Sequence, residues 1–157
     1  MITPGAVLLL LAAVLAGSAF VVPTRLRLHV ARAHAAAVLV AFALMLISFI
    51  VGDLSLHYVW DHTRTDYPIA YRVAGLWGGE EGTLLLWNAA ASLFLVLTLR
   101  RDGLVHRRAG MFLVAISGAL SLVNLLAGAF DATDATTLTL APNGRGLADV
   151  LLTPMMV

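Results

Sequence analysis

The feature that most constrains this chain is a series of four long apolar runs, separated by segments that hold nearly all of its charges. The first run, GAVLLLLAAVLAGSAFVV, lies between Pro4 and Pro23 and has about the 17–25 residues that a helix needs to cross a bilayer. Hydrophobic residues make up 61% of the 157 residues and charged residues only 12%, which is more apolar surface than a soluble domain can bury. The chain is therefore expected to be an integral membrane protein.

We predict an all-α membrane protein with about four transmembrane helices, at 5–22, 33–56, 83–99 and 109–130. A loop at 57–82 joins the second and third helices, and a polar tail at 131–157 ends the chain.

Two features of the predicted loop concern helix ends. The second helix is expected to continue past Gly52, even as far as Trp60, because SLHYVW contains no helix breaker. Farther along, Asp66 as an N-cap and Pro68 in the first turn predict a short helix up to about Leu76. Its apolar residues share one face, so we expect it to lie along the membrane surface.

Arginine counts predict the orientation. The connector after the first run holds three arginines and the connector after the third run holds four, whereas the loop at 57–82 holds two and the tail one. The positive-inside rule then places both termini and the loop on the outer face of the plasma (inner) membrane, in a multi-pass protein.

Aromatic, glycine and charged residues are concentrated in the stretch YPIAYRVAGLWGGEEGTLLLW, as is typical of a membrane–water boundary. Glycines let a backbone approach a flat ligand or a partner closely, and indoles offer stacking surface. The candidate binding residues are Trp77, Gly78, Gly79, Glu81, Gly82 and Trp87, with Tyr71, Arg72, His57 and His62 as lesser candidates. The competing interpretation is a glycine turn, anchoring tryptophans and carboxylates that favour the start of the third helix.

Histidines are the other residues whose chemistry bears on function. His57 and His62 are of the type that ligates a metal or haem iron, but a separation of five places them roughly 140° apart around a helix. We therefore expect wetted interfacial histidines and predict no metal site. His29, His34 and His106 stand among arginines and are expected to be solvated.

The remaining sequence features exclude classes of function rather than indicate one. Asn88 and Asn124 lie within predicted helices and are expected to hydrogen-bond between helices. No Ser/His/Asp set, P-loop or catalytic pair of acids is visible, so no catalytic residue is predicted. The absence of cysteine excludes disulfides and thiolate metal sites, and a net charge of +1 gives no indication of nucleic acid as a partner.

The stretch HTRTDYPIAYRVAGLWGGEEGTLLLW resembles a segment of the CcmF- and NrfE-type cytochrome c haem lyases, in which TN-x-x-x-P-x-x-Y-K/R leads into WGGxEGSLLLW. The matching positions are Arg64, Pro68, Tyr71, Arg72, Trp77, Gly78, Gly79, Glu81, Gly82 and Trp87, and Thr83 stands where serine is usual. In the tail, PNGRGL followed by LLTPMM is similar to the family's PxDGxGLNPLLQxPxM, with Ala148 and Asp149 in place of Asn-Pro.

This resemblance implies a role in the covalent attachment of haem to apocytochrome c. The family continues to a His-Pro-Pro histidine, a tryptophan-rich WWD segment and further haem-ligating histidines, whereas this sequence stops at Val157. We therefore expect the N-terminal four-helix portion of a haem lyase, from a split gene or a truncation, with no haem ligand among its own histidines.

Haem is the implied cofactor of such a protein. The implied partners are the remaining portion of the haem lyase, a haem-delivery protein, apocytochrome c with its thiol-reducing partners, and membrane lipid. Two alternatives stay open from the residues. One is a structural or docking membrane subunit, or a transporter fragment, whose WGGEEG loop binds a partner protein, and the other is a metal enzyme that uses His57 and His62.

Overall fold

The computed structural model of the protein describes residues 3–101 and 103–146, and in these residues the regular structure is helical. The helices are α1 (Pro4–Ser18), α2 (Thr24–Val51), α3 (His57–His62), α4 (Ile69–Gly75), α5 (Glu80–Thr98), α6 (Leu104–Leu126) and α7 (Ala135–Leu140). An isolated β-bridge joins Leu56 and Ala132. The all-α class predicted from the sequence is confirmed.

Helices α1, α2, α5 and α6 pack into one bundle, in which α1 contacts α2 and α6 while α5 contacts the same two helices. Helices α2, α5 and α6 are long and apolar enough to cross a membrane, and α1, with 15 residues, is shorter. The chain is a membrane protein with these helices as its candidate crossings. A fourth crossing by α1 stays a prediction.

Two helices begin earlier than the hydrophobic runs indicated. Helix α2 starts at Thr24 rather than at 33, and α6 starts at Leu104 rather than at 109, so each extends into its arginine-rich connector. Apolar runs mark only the stretch that fits a bilayer, whereas arginine is a good helix former whose charged end reaches water from a helix end.

The C-terminal end of α2 differs from the prediction. Gly52 has the left-handed conformation (φ 73°), and the amides of Gly52 and Asp53 bond back to the carbonyls of Phe49 and Ser48. This is a C-cap of the kind that glycine allows, so the expected continuation of the helix to 56 or to Trp60 is wrong. A new helix, α3, begins at His57.

The short helix predicted in the loop is confirmed as α4, but its start is not capped as predicted. Pro68 precedes the first helical residue, and Asp66 does not serve as the N-cap. The carboxylate of Asp66 instead accepts hydrogen bonds from Nε and Nη2 of Arg64, at 3.0 and 3.1 Å. The Arg64 guanidinium thereby lowers the pKa of Asp66. Whether α4 lies at a membrane surface stays a prediction.

A buried hydrogen-bond network holds the bundle together, and His34 is its member on α2. Nδ1 of His34 donates to the carbonyl of Ala12 on α1 at 2.8 Å, and Nε2 lies 2.9 Å from Oγ of Ser117 on α6. His34 is completely buried, so the expectation that it is solvated like its arginine neighbours is wrong. One side chain thus connects three helices.

Helix α5 joins the same network through Asn88. Its Nδ2 donates to Oγ of Ser121 at 3.0 Å, and its Oδ1 accepts from Oγ of Ser117 at 2.6 Å. Ser92 Oγ lies 2.9 Å from Ser117 Oγ. The interhelical bonding predicted for Asn88 is confirmed. We call His34, Asn88, Ser92, Ser117 and Ser121, all fully buried, the buried polar network.

Asn124 does not behave as predicted. Its Nδ2 donates to the carbonyl of Leu120 in its own helix at 2.8 Å, so it forms no bond between helices through that group. Its Oδ1 is buried without a hydrogen-bond partner among the described residues. Asn124 is buried, as its place within an apolar run suggests, but its hydrogen-bond acceptor is in its own helix rather than in a neighbouring one.

Ser117→Ala is expected to destabilise the bundle, because it leaves His34 Nε2 and Asn88 Oδ1 without their shared hydroxyl. Hydrogen bonds between membrane helices contribute about 1–2 kcal/mol at most, and a loss of that size should lower the thermal midpoint in mild detergent. The control is Ser18→Ala, whose hydroxyl donates only to Leu15 within α1. Equal midpoints for the two variants would contradict the role given to the network.

Candidate functional site

The loop between α2 and α5 folds around the hydroxyl of Tyr58, on α3. This hydroxyl donates to the carbonyl of Leu76 at 3.0 Å and accepts from the amide of Gly79 at 3.1 Å. The ring meets Phe49 of α2 edge to face, with ring centroids 5.6 Å apart. One buried phenol therefore connects α3, the segment between α4 and α5, and the end of α2.

The same surroundings change the acidity of this phenol. Burial raises the pKa of Tyr58 to about 12, with a smaller contribution in the same direction from the negative charges of Glu81 and Asp61. The neutral phenol, which can both donate and accept, is the form that the fold favours.

Three glycines of the candidate segment lie against α3. A Cβ atom at Gly82 would overlap the carbonyl of Leu76 and the hydroxyl of Tyr58, and one at Gly79 would lie 2.6 Å from Nε2 of His62. A Cβ at Gly75 would overlap the carbonyl of His62. The glycines therefore have a structural function in close packing, beside any function in ligand binding, which stays a proposal.

His57 and His62 lie on the same short helix and point to different neighbours. His62 donates from Nδ1 to the carbonyl of Tyr58 at 3.1 Å, and its ring lies 4.4 Å from the Tyr58 ring. His57 is exposed and stacks on Trp60, with ring centroids 5.7 Å apart. The described residues contain no cluster of three or more histidines, aspartates or glutamates that could hold a metal ion.

The three tryptophans differ in exposure. Trp77 and Trp87 expose 52% and 65% of their surface, so both offer flat indole surface to lipid, ligand or partner. Trp60 is buried, and its indole N–H donates to the carbonyl of Ala141 at 2.9 Å. The tail therefore covers Trp60. The membrane-boundary position of the aromatic cluster stays a prediction.

The carboxylates Glu80 and Glu81 lie in the first turn of α5, where the helix dipole favours negative charge. Glu80 is exposed and Glu81 is half-buried. Gly78 is half-buried beside them. Since Glu80 and Trp87 are seven residues apart, they lie on the same side of α5.

Arg72 of α4 lies toward the end of α2. Arg72 donates from Nε to the carbonyl of Tyr67 at 2.9 Å, from Nη1 to that of Ile50 at 3.3 Å, and from Nη2 to that of Thr65. A cation at these carbonyls stabilises the C-terminal end of α2. The ring of Tyr71 lies 6.4 Å from the ring of Tyr67.

The polar tail is part of this site, a relation that sequence reasoning missed. The amide of His57 donates to the carbonyl of Asp131 at 2.9 Å, and the amide of Thr133 donates to that of Ser55 at 2.8 Å. Thr133 Oγ1 donates to the carbonyl of Leu54 at 2.7 Å. The beginning of the tail is thereby paired with the segment that leads into α3.

The PNGRG motif, at 142–146, packs against α3 and the residues that follow it. The carbonyl of Asn143 accepts from the amide of Thr65 at 3.0 Å, and the amide of Arg145 donates to the carbonyl of Trp60 at 2.8 Å. Arg145 also forms an ion pair with Asp61, Nη1 to Oδ1, at 2.9 Å. Both stretches that resemble the haem lyases therefore contact α3 and its flanks. In the sequence, their common resemblance to one family was the only indication that they lie close together. The LLTPMM stretch, with Ala148 and Asp149 before it, lies outside the described residues.

Comparison with curated proteins identifies the relatives of this chain. It is 31% identical over 116 residues to the cytochrome c-type biogenesis protein ccl1 of Rhodobacter capsulatus, an alignment that covers 73% of this chain and 18% of that protein. It is 45% identical over 47 residues to CcmF of Escherichia coli and 40% identical over 55 residues to NrfE of Haemophilus influenzae. Over these stretches the chain is similar to cytochrome c-type biogenesis proteins of the CcmF/NrfE type.

The family resemblance seen in the sequence is thus confirmed. The alignments with CcmF and NrfE cover 30% and 35% of this chain and 7% and 9% of those proteins, so the chain matches less than a fifth of the length of each relative. No protein-family profile matches the chain. No solved structure matches it either.

Tyr58→Phe is expected to loosen this CcmF/NrfE-type loop, because the amide of Gly79 loses its acceptor and the carbonyl of Leu76 its donor. An unpartnered buried group costs about 1–3 kcal/mol, so thermal unfolding at pH 8 should occur at a lower temperature than in the parent chain. The control is Tyr67→Phe, a half-buried tyrosine of the same loop.

The same pair of variants has an expected pH dependence. The contribution of the phenol is complete below its ordinary pKa of 10.0 and is lost as the pH rises toward about 12. The difference in stability between the parent chain and Tyr58→Phe should therefore shrink over that range. A difference that grows with pH would contradict the buried neutral phenol.

Proposed function

We propose that this chain acts in cytochrome c maturation as the portion of a membrane haem lyase that builds part of its outer surface. What carries the proposal is that both family-like motifs, WGGEEG and PNGRG, fold against one short helix, α3. The names of the relatives, cytochrome c-type biogenesis proteins, support the process. Haem attachment is the more specific part of the proposal.

Haem enters this proposal as the substrate that is attached to apocytochrome c. The described residues fit contact with its flat face, because Trp77 and Trp87 are exposed indoles. Both ring nitrogens of His34 are engaged within the bundle, so His34 offers no iron ligand. His57 and His62 lie against different neighbours, Trp60 and Tyr58, and do not converge on one site. We therefore assign the iron ligands to the remaining portion of the haem lyase.

The partners proposed for the outer surface are that remaining portion, a haem-delivery protein and apocytochrome c with its thiol-reducing partners. The alternative is a docking subunit, in which the same loop only binds another protein. The observation that bears on the alternative is the exposure of Trp77 in the loop, since an exposed indole can also serve as a contact for a partner protein. If the chain is part of a haem lyase, a loop variant should impair haem attachment. If it is a docking subunit, the same variant should impair binding of the partner protein.

The proposed orientation places the loop outside and the arginine-rich end of the bundle inside. Glu80→Cys should react with an impermeant thiol reagent added to intact cells or right-side-out vesicles, whereas Leu104→Cys should not. Both positions are exposed. They are better probes than Gly79, where a Cβ would meet His62, and Gly103, whose φ is 121°. Labelling of the Leu104→Cys variant but not of the Glu80→Cys variant would contradict the proposed orientation and indicate the opposite one.

The proposed function is tested by Glu81→Gln, which removes charge with little change of shape. In cells that express this chain with the rest of the haem lyase, we expect less covalently haemylated cytochrome c, while the subunits still co-purify. The matched control is Glu80→Gln, on the same turn of α5 and with the same dipole effect of about 0.3–1 kcal/mol. Trp77→Ala should likewise lower the amount of haemylated cytochrome c while the subunits still co-purify, because it removes an indole that is 52% exposed.

Three results would contradict this assignment. Equal maturation in the Glu81→Gln and Glu80→Gln variants would reduce Glu81 to a residue that favours the helix start. Weaker co-purification of Trp77→Ala by a hot-spot-sized ~2 kcal/mol or more, with maturation falling in proportion, would favour the docking subunit. A haem spectrum of the purified chain that disappears in His57→Ala or His62→Ala would place iron ligands within it.

A further inference from the structure

A cavity of about 280 Å³ lies at the end of the bundle away from α3, between the start of α2, the end of α5 and the start of α6. Helix α2 has 28 residues, so its first residue and α3 are about 40 Å apart along the helix axis. The cavity is therefore separate from the loop that carries the family motifs.

The polar part of the cavity lining is cationic. Four arginines and a histidine contribute to it: Arg25, Arg27, Arg101, Arg107 and His106. No aspartate or glutamate contributes to the lining in the described part of the chain. Asp102, the acid of this connector, lies outside the described residues. Several like charges around one concave space favour an anion there.

The rest of the lining is mainly apolar. Leu28, Leu99 and Met111 contribute side chains, and Ala31 and Gly110 are buried small residues. Gly110 keeps the space beside Leu99 open, since a Cβ there would lie 3.2 Å from Cδ2 of Leu99. The cavity thus combines cationic groups with an apolar wall, a combination that matches an amphipathic anion better than a fully polar one.

Arg27 indicates where such an anion would bind. Its Nε is buried and has no hydrogen-bond partner among the described residues. A buried donor on a charged group without an acceptor is costly, and a rotation of this side chain toward a phosphate oxygen in the cavity that Arg27 lines would supply the acceptor. The guanidinium group also presents its donors in a fork that suits phosphate.

We propose that this basic cavity binds the phosphate group of an anionic phospholipid. The three helices that line it are those long and apolar enough to cross a membrane, so the cavity lies where a lipid headgroup is available. Basic pockets between membrane helices recognise anionic headgroups in this way. The proposal is independent of the haem lyase function and holds for either orientation of the bundle.

The test uses the full chain purified in neutral detergent, with lipid binding measured by native mass spectrometry. The probes are phosphatidylglycerol, phosphatidylcholine with the same acyl chains, and inorganic phosphate. We expect phosphatidylglycerol to bind at least about tenfold more tightly than either of the others. Its headgroup has a net negative charge, whereas the phosphate of phosphatidylcholine is balanced by its choline cation, and inorganic phosphate has no apolar chain.

Paired variants separate the cavity from general charge. Arg27→Gln with Arg107→Gln should weaken phosphatidylglycerol binding about tenfold or more. Arg32→Gln with Arg108→Gln removes the same charge from the same two helices at exposed positions outside the lining, and should change binding by less than about twofold. Arg27→Lys keeps the charge but lacks Nε, and should weaken binding by an intermediate factor.

Several results would overturn the proposal. Equal losses in the two double variants would mean diffuse attraction by surface arginines, and equal binding of phosphatidylcholine would mean no headgroup recognition. Inorganic phosphate binding as tightly as phosphatidylglycerol would make this a phosphate site without a lipid. If the first double variant loses helical content by circular dichroism, Arg27→Lys decides, and undiminished binding in that variant would refute the assignment.

Discussion

The structure depends first on the way polar side chains find partners inside a bundle of apolar helices. In a bilayer an unpartnered polar group costs several kcal/mol, so each one restricts how neighbouring helices can be placed. Ser117 has its hydroxyl where α2, α5 and α6 meet, within reach of His34, Asn88 and Ser92. Helix α1 is added through the carbonyl of Ala12.

Small residues make that arrangement possible. A Cβ at Gly118 of α6 would lie 2.5 Å from the Cβ of Ala16 on α1, so these two helices approach as closely as a glycine allows. The buried polar network holds the four helices in fixed relative positions. The C-terminal end of α2 and the N-terminal end of α5 are thereby also held in position relative to each other. The loop that carries the family motifs rests on those two points, through Phe49 against Tyr58 and through Gly82.

The two ends of the bundle differ in chemistry. At the α3 end, aromatic rings, glycines and carboxylates surround a backbone that is bonded largely to itself, and the tail closes over Trp60. At the other end, arginines surround a cavity with an apolar wall. This separation allows the proposed haem lyase function and the proposed lipid site to be impaired independently, since no residue belongs to both.

Much of this protein was determined by the sequence alone. Apolar runs are a property of consecutive residues, and they established the all-α membrane class and the approximate helices. The motifs indicated the family resemblance. The position of Asn88 in an apolar helix predicted that it would hydrogen-bond to another helix, as it does. Pro68 located the short helix α4, because a proline restricts the backbone at its own position.

Only the tertiary structure decided which distant backbone lies opposite each side chain. His34 follows Arg32 by two residues, roughly 200° around the helix, so it is buried although its neighbour in sequence is exposed. Trp60 is buried, and its indole N–H donates to the carbonyl of Ala141, 81 residues later in the chain. The glycines at 75, 79 and 82 are required by close contacts with side chains and carbonyls at and beside α3. Such contacts depend on how separate helices pack against each other. The packing is a property of two segments together, so it cannot be predicted from the sequence of either segment alone.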